Sequence, residues 1–193
     1  ISNDLATQQL QVRRIEAELN DQTMLPKAGD DMQRFAQVQS QYIAHKKAFT
    51  DSLDQEKSLL QKAEHEKRSA IEILSKLEQT LPTYKKSADA YSKLEKEGFF
   101  SSLATADKQR EAIEKSKDLD AQQSTVAALS ATIAAQQKKI SQLHSSYKSE
   151  LQKELADTRA KIGQLQPNLD KTLYKEGLME LRAPQDGIVK DIA

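Results

Sequence analysis

The 193 residues contain no cysteine and no tryptophan, and only four phenylalanines, five glycines and four prolines. Without cysteine there is no disulfide, no thiolate nucleophile and no cysteine-based zinc site, an absence that fits the cytosol and an oxidising compartment alike. Hydrophobic residues make up 37% and aromatic residues 5% of the chain. A compact domain devotes roughly 45–50% of its residues to apolar types, so this chain is short of material for one round core. Glycine and proline are too sparse to punctuate a many-stranded sheet. No window approaches the roughly 18 apolar residues that a membrane span needs. An excess of one charge is missing as well: 29 Lys+Arg balance 29 Asp+Glu. No basic run exceeds two residues, as at Arg13-Arg14 and Lys46-Lys47. There is thus no electrostatic footprint for a phosphate backbone, and nucleic acid is not an expected partner. The chain opens at Ile1 without a methionine, signal or transit segment, which reads as an interior fragment.

What is present is heptad order. Leu5, Val12 and Leu19 stand seven apart with Ile15 between them, which predicts a short amphipathic helix over 1–20. Asn20-Asp21, Pro26 and Gly29-Asp30 offer turn conformations, so residues 21–30 read as a connection, with Asp30 or Asp31 available to cap a new helix. From 31 to 97 the pattern resumes at Phe35, Tyr42 and Phe49. It then settles into Leu53, Leu60, Lys67, Leu74, Leu81 and Ala88, alternating with Ala63, Ala70, Leu77, Tyr84 and Tyr91. Pro82 lies inside this seam. The unchanged heptad phase on its two sides favours a kink over a loop, and the alternative is a new helix that begins at Pro82 with Thr80 as its cap.

The seam ends at Gly98-Phe99-Phe100-Ser101, where glycine suits the left-handed residue after a helix and Ser101 or Ser102 can cap the next one. Residues 98–101 are therefore read as a hairpin tip. A descending helix over 102–180 carries Leu119, Val126, Ile133, Ile140 and Tyr147, joined by Leu129 and Leu143. After a one-residue shift Leu155, Ile162, Leu165 and Leu169 continue it. Roughly 75 helical residues span about 110 Å. Helices 1–20 and 31–97 placed end to end match that length. The expected architecture is all-α: a long antiparallel coiled-coil hairpin of three helices with an interrupted ascending arm. Pairs such as Glu64/Arg68, Glu72/Lys76 and Glu111/Lys115 lie outside the seam. Over 181–193, Pro184 and Asp186-Gly187 precede Ile188-Val189 and read as a turn followed by a strand that needs β-structure elsewhere to pair with.

Chemistry-bearing motifs are scarce. His65-Glu66 opens like a zinc motif, but the second ligand position is Ser69, which cannot serve. His45 and His144 have no ligand four residues on and read as surface or seam-edge histidines. There is no glycine-rich loop or nucleophile elbow, so no catalytic, metal or cofactor residue is assigned and a non-enzyme is expected. Phe99 and Phe100 are sequence neighbours and cannot both face one seam, so at least one projects outward. An outward Phe fits a partner contact, while a hydrophobic staple would bring one ring back onto the following helix. Leu94, Gly98, Phe99, Phe100 and Ser101 are the candidate partner-binding residues.

Arg182-Ala183-Pro184-Gln185-Asp186-Gly187-Ile188-Val189 is similar to the signature that opens the second half of the split lipoyl domain in bacterial periplasmic adaptors, or membrane fusion proteins. Leu94 through Ser101 resembles that family's hairpin tip, whose pattern is Arg, Leu four residues later and Ser seven beyond. Leu94 and Ser101 fit, and Ala90 stands where the family has Arg. The three-helix hairpin and Leu155 to Pro184 resemble the HlyD-like branch that serves type I secretion. The resemblance implies an adaptor in the periplasm, anchored to the inner membrane through parts outside this fragment. It implies an inner-membrane ABC transporter and a TolC-like outer-membrane channel as partners, and self-association into a ring or tube. Lys190 does not resemble the lysine that lipoyl domains modify, so neither lipoyl nor biotin is expected. A multidrug-efflux adaptor of the same family and a generic coiled-coil tether are the alternatives.

Overall fold

The computed structural model describes residues 2–179, so the strand and the lipoyl-like signature read at 181–193 lie outside the described residues. Every regular element among the described residues is an α-helix: α1 (Ser2–Leu19), α2 (Met32–Lys96) and α3 (Ser102–Met179). The fold separates into two units, one of residues 1–50 with 145–193 and one of residues 51–144.

The helix ends at the two connections have local chemical causes. After α1, the Gln22 N–H reaches the Ala17 carbonyl at 2.8 Å and the Asp21 N–H reaches that of Glu18 at 3.3 Å, with Asp21 at φ 52°. This pair of bonds is the Schellman closure, in which one left-handed residue satisfies the last carbonyls of a helix. The Asp31 carboxylate caps α2 by accepting the N–H groups of Gln33 and Arg34 at 3.0 and 3.4 Å. Its neighbour Asp30 instead accepts from Arg13 Nη1 with both oxygens, at 2.7 and 2.9 Å, and from the Lys27 N–H. The helix α2 runs through Pro82. The proline is solvent-exposed, as is Glu78, the residue whose carbonyl a donor at position 82 would otherwise serve. Thr80 is not a cap: its hydroxyl donates to the Lys76 carbonyl at 2.9 Å in mid-helix.

The first unit corrects the expected end-to-end ascending arm. Arg34 donates to the Asn3 carbonyl, Gln11 to Gln41, and His45 lies 2.6 Å from Glu18, so α1 runs parallel to the start of α2 and beside it. The physical reason is reach and burial together. The 12 residues 20–31 can extend about 40 Å, while an 18-residue helix is about 27 Å long, so the chain can return along α1 before α2 starts. In doing so it buries Leu10, Ala17, Met24, Phe35, Val38 and Tyr42 as one cluster from α1, the connection and α2. The Tyr42 hydroxyl pins the connection through the Gln22 carbonyl at 2.9 Å. On its other side α1 meets α3, running antiparallel to it, through Arg14 with Glu154, Arg159 with Glu16 and Tyr147 with Glu18.

The second unit is an antiparallel pair formed by the rest of α2 and α3. Leu53, Ala63, Ala70, Leu81, Ala88 and Ala112 are its buried apolar residues, and the other seam positions are partly buried, as two helices alone permit. Two glutamines interrupt the apolar seam and use the main chain opposite. Gln122 donates to the Ala70 carbonyl at 2.8 Å and Gln136 to the Glu56 carbonyl at 3.0 Å, two heptads apart on both helices. Outside the seam, Glu111 and Lys115 do not need each other: Glu111 accepts from Lys108 at 3.0 Å and Lys115 donates to Asp118 at 3.2 Å.

Candidate functional site

The turn between α2 and α3 is built from the same closure as the end of α1. The Phe99 N–H reaches the Leu94 carbonyl and the Gly98 N–H that of Glu95, both at 2.9 Å, with Gly98 at φ 82°. The φ value lies in the left-handed region, which is why glycine stands there, and the space a Cβ would enter is empty. Ser101 then starts α3: its Oγ accepts the Ala104 N–H at 3.3 Å and its carbonyl the Thr105 N–H at 3.2 Å. Gly98 and Ser101 are thus the two residues that shape the turn.

The two phenylalanines part company. Phe100 packs on the preceding helix rather than the following one: its ring centroid lies 4.6 Å from that of Tyr91, tilted by 37°. Tyr91 is fixed in turn. Its carbonyl accepts from Thr105, and the Lys108 ammonium stands 6.0 Å over its ring. Lys108 is also bound by Glu111, a hydrogen bond that raises the lysine pKa. Phe99 is 73% exposed. Leu94 is partly buried, offering its carbonyl to the turn.

Sequence reasoning missed Leu103, which is also 73% exposed and stands in the first turn of α3. A signal for it existed. Continuing the α3 seam back in sevens from Leu119 gives Ala112 and Thr105, both buried, and Leu103 falls off that stripe. The turn therefore presents apolar surface on a neutral frame, since Lys93 and Lys96 are balanced by Glu95 and Glu97. Such a surface can dock non-covalently. Among the described residues no group of three or more His, Cys, Asp or Glu could hold a metal ion, and no helix is long and apolar enough to cross a membrane.

A sequence model of the family described as AprE, long α-helical hairpin, matches residues 1–174. The chain belongs to this AprE hairpin family. The AprE-type hairpin is also similar in fold to the crystal structure of the soluble domain of LipC, a membrane fusion protein of a type I secretion system. The TM-score is 0.84 at 16% identity, covering 96% of this chain and 91% of the LipC chain. No curated protein sequence matches it. The resemblance to membrane fusion proteins read from the sequence agrees with the AprE family and with the LipC fold.

Proposed function

We propose that this AprE-family hairpin is part of a periplasmic adaptor of a type I secretion system. In this reading it bridges an inner-membrane ABC exporter to a TolC-like outer-membrane channel. Residues 181–193 open the second lipoyl half, the full-length protein is anchored in the inner membrane, and several copies stand side by side as a ring or tube. The turn at 98–101 docks to the channel. The action is mechanical and non-covalent, so no residue performs catalysis.

One observation carries this reading: the turn is tightly closed and capped, yet leaves Phe99 73% exposed. A spacer would have no use for an uncovered phenyl ring, because exposing it to water is unfavourable and nothing in the turn requires it. The family and the LipC-like fold support the adaptor assignment, and the HlyD-like reading of the sequence favours protein secretion over drug efflux.

The test replaces residues 94–105 in the full-length protein with a polar turn of equal length. Export should stop, while helicity, melting temperature and the inner-membrane complex persist. Export at the wild-type rate would reduce the hairpin to a tether.

A further inference from the structure

One helical turn of α2 holds the point where the chain doubles back. Tyr42 donates to the Gln22 carbonyl at 2.9 Å, His45 Nδ1 lies 2.6 Å from Glu18 Oε2, and Lys46 reaches Asp21 at 2.7 Å. Glu18 belongs to the last turn of α1, and Asp21 and Gln22 open the connection. Only one of these three contacts has a charge that changes near neutral pH. The Tyr42 contact carries none. The hydrogen bond between Lys46 and Asp21 lowers the carboxyl pKa and raises that of the lysine, so both stay ionised. His45 is left, because an imidazole ordinarily titrates at about 6.5.

The surroundings of His45 are short of positive charge. From α1 it faces the Glu18 carboxylate, whose side chain is fully buried and whose other oxygen meets Arg14 at 2.7 Å. From α3 the Tyr147 ring lies 5.3 Å from the imidazole, and its hydroxyl donates to the same Glu18 oxygen. Glu154, also on α3, takes another nitrogen of Arg14. From its own helix, Lys46 is turned to Asp21. Two carboxylates thus share one guanidinium. The His45 side chain is 37% exposed, so a proton reaches it from solvent without opening the fold.

We propose that His45 is a proton-controlled clamp: when charged it supplies Glu18 with a second cation and tightens the end of α1 and the connection onto α2, and when neutral it holds them by a hydrogen bond alone. Both forms donate from Nδ1, so the geometry persists and the strength of the contact changes. The added attachment is present at acid pH and is lost as pH rises through the ordinary histidine value, about 6.5. The response stays within the first unit. In the second unit the Glu56 carboxyl is held below its usual value and keeps its charge over that range. The two units therefore answer acid in opposite senses and in separate ranges: the first tightens as pH falls through about 6.5, and the second loosens below about pH 5.

Amide hydrogen exchange of the full-length protein, corrected for the intrinsic rate, tests this at about pH 5.5 and about pH 7.5. Opening of residues 15–22 should rise about threefold between the two conditions, the size expected of one ion pair with a partly exposed member. His45→Gln keeps a donor for Glu18 and has no titratable charge, so its opening should change by less than about 1.5-fold. His45→Lys is charged at both values and should be equally flat. Amides of the α2 seam between Leu53 and Ala88 are the internal reference and should not respond. Wild-type opening that is the same at both values overturns the proposal. So does a wild-type-sized change in His45→Gln or His45→Lys, or an equal change in the reference amides.

Discussion

Tyr147 on α3 donates its hydroxyl to Glu18 on α1 at 2.6 Å, and the Glu18 side chain has no solvent exposure at all. The same carboxylate meets Arg14 at 2.7 Å and His45 of α2 at 2.6 Å, and Arg14 continues to Glu154. One buried carboxylate thus links all three helices. Burial, and then the bond to Glu18, push the Tyr147 hydroxyl pKa up, so it stays a donor throughout the physiological range. A hydrogen bond to a charged group contributes about 1.5–3 kcal/mol, so Tyr147→Phe should lose about that much stability in urea unfolding. Glu18→Ala should lose more, about 3–5 kcal/mol, because it removes the buried acceptor that Arg14, Tyr147 and His45 share and leaves the buried Arg14 guanidinium with less of its counter-charge. Equal unfolding midpoints for Glu18→Ala and wild type would refute this role.

The seam makes a second prediction. Leu74 and Lys67 are both partly buried seam positions on α2. Leu74→Asp removes apolar contact and brings in a charge, and should cost about 2–4 kcal/mol in thermal or urea unfolding. Lys67→Glu should cost under about 1 kcal/mol, since a long side chain at the seam edge keeps its charged head in water. Indistinguishable melting curves for Leu74→Asp and wild type would show the seam register to be wrong.

Acid should loosen the second unit through Glu56. Its pKa is held below the usual carboxylate value, first by the hydrogen bond from Lys139, 2.7 Å away, and then by Gln136. A depressed carboxylate contributes stability that is fully present above its unfolded pKa, about 4.3, and is lost as pH falls through the lower folded value. Wild type should therefore lose more stability than Glu56→Gln between about pH 5 and pH 3, with the two curves converging at the acid end. A constant gap across that range in denaturant titrations would refute the role of Glu56.

Much of this was legible in the sequence, for a reason visible in particular residues. Heptad spacing placed Leu53, Ala63, Ala70, Leu81 and Ala88 in the seam, and all five are buried. On α3 every seam position from Leu119 to Leu169 is partly buried. One stripe suffices to read a helix that packs on one neighbour. It fails for α1, which packs on two: Leu10 and Ala17 are buried off the predicted seam, and Arg14 and Glu18 are buried although their types suggest solvent. Spacing also could not show the chain doubling back at 20–31, because the contacts that fix it, Arg13 with Asp30 and Tyr42 with Gln22, have no periodicity. At the turn, Gly98 and Ser101 were readable as shape-giving residues. The division of labour between Phe99 and Phe100 depended on where Tyr91 lies.

Gly98 separates the shape of the turn from its chemistry, and a substitution there tests the shape alone. Its φ of 82° is one that side chains with a Cβ adopt at a cost, while the space around it is open, so alanine meets strain and no clash. Gly98→Ala should therefore destabilise the fold by only about 1 kcal/mol. Gly98→Asn should cost less, because asparagine tolerates the left-handed region better. If the closure through Phe99 N–H and Leu94 carbonyl holds the phenyl ring in place, docking should follow the same order as stability: wild type, then asparagine, then alanine. A β-branched residue makes the sharpest comparison. Gly98→Val has the greatest strain, and in the full-length protein it should weaken docking most while helicity stays near wild type. Docking by Gly98→Val equal to wild type would show that the left-handed turn does not set the position of Phe99.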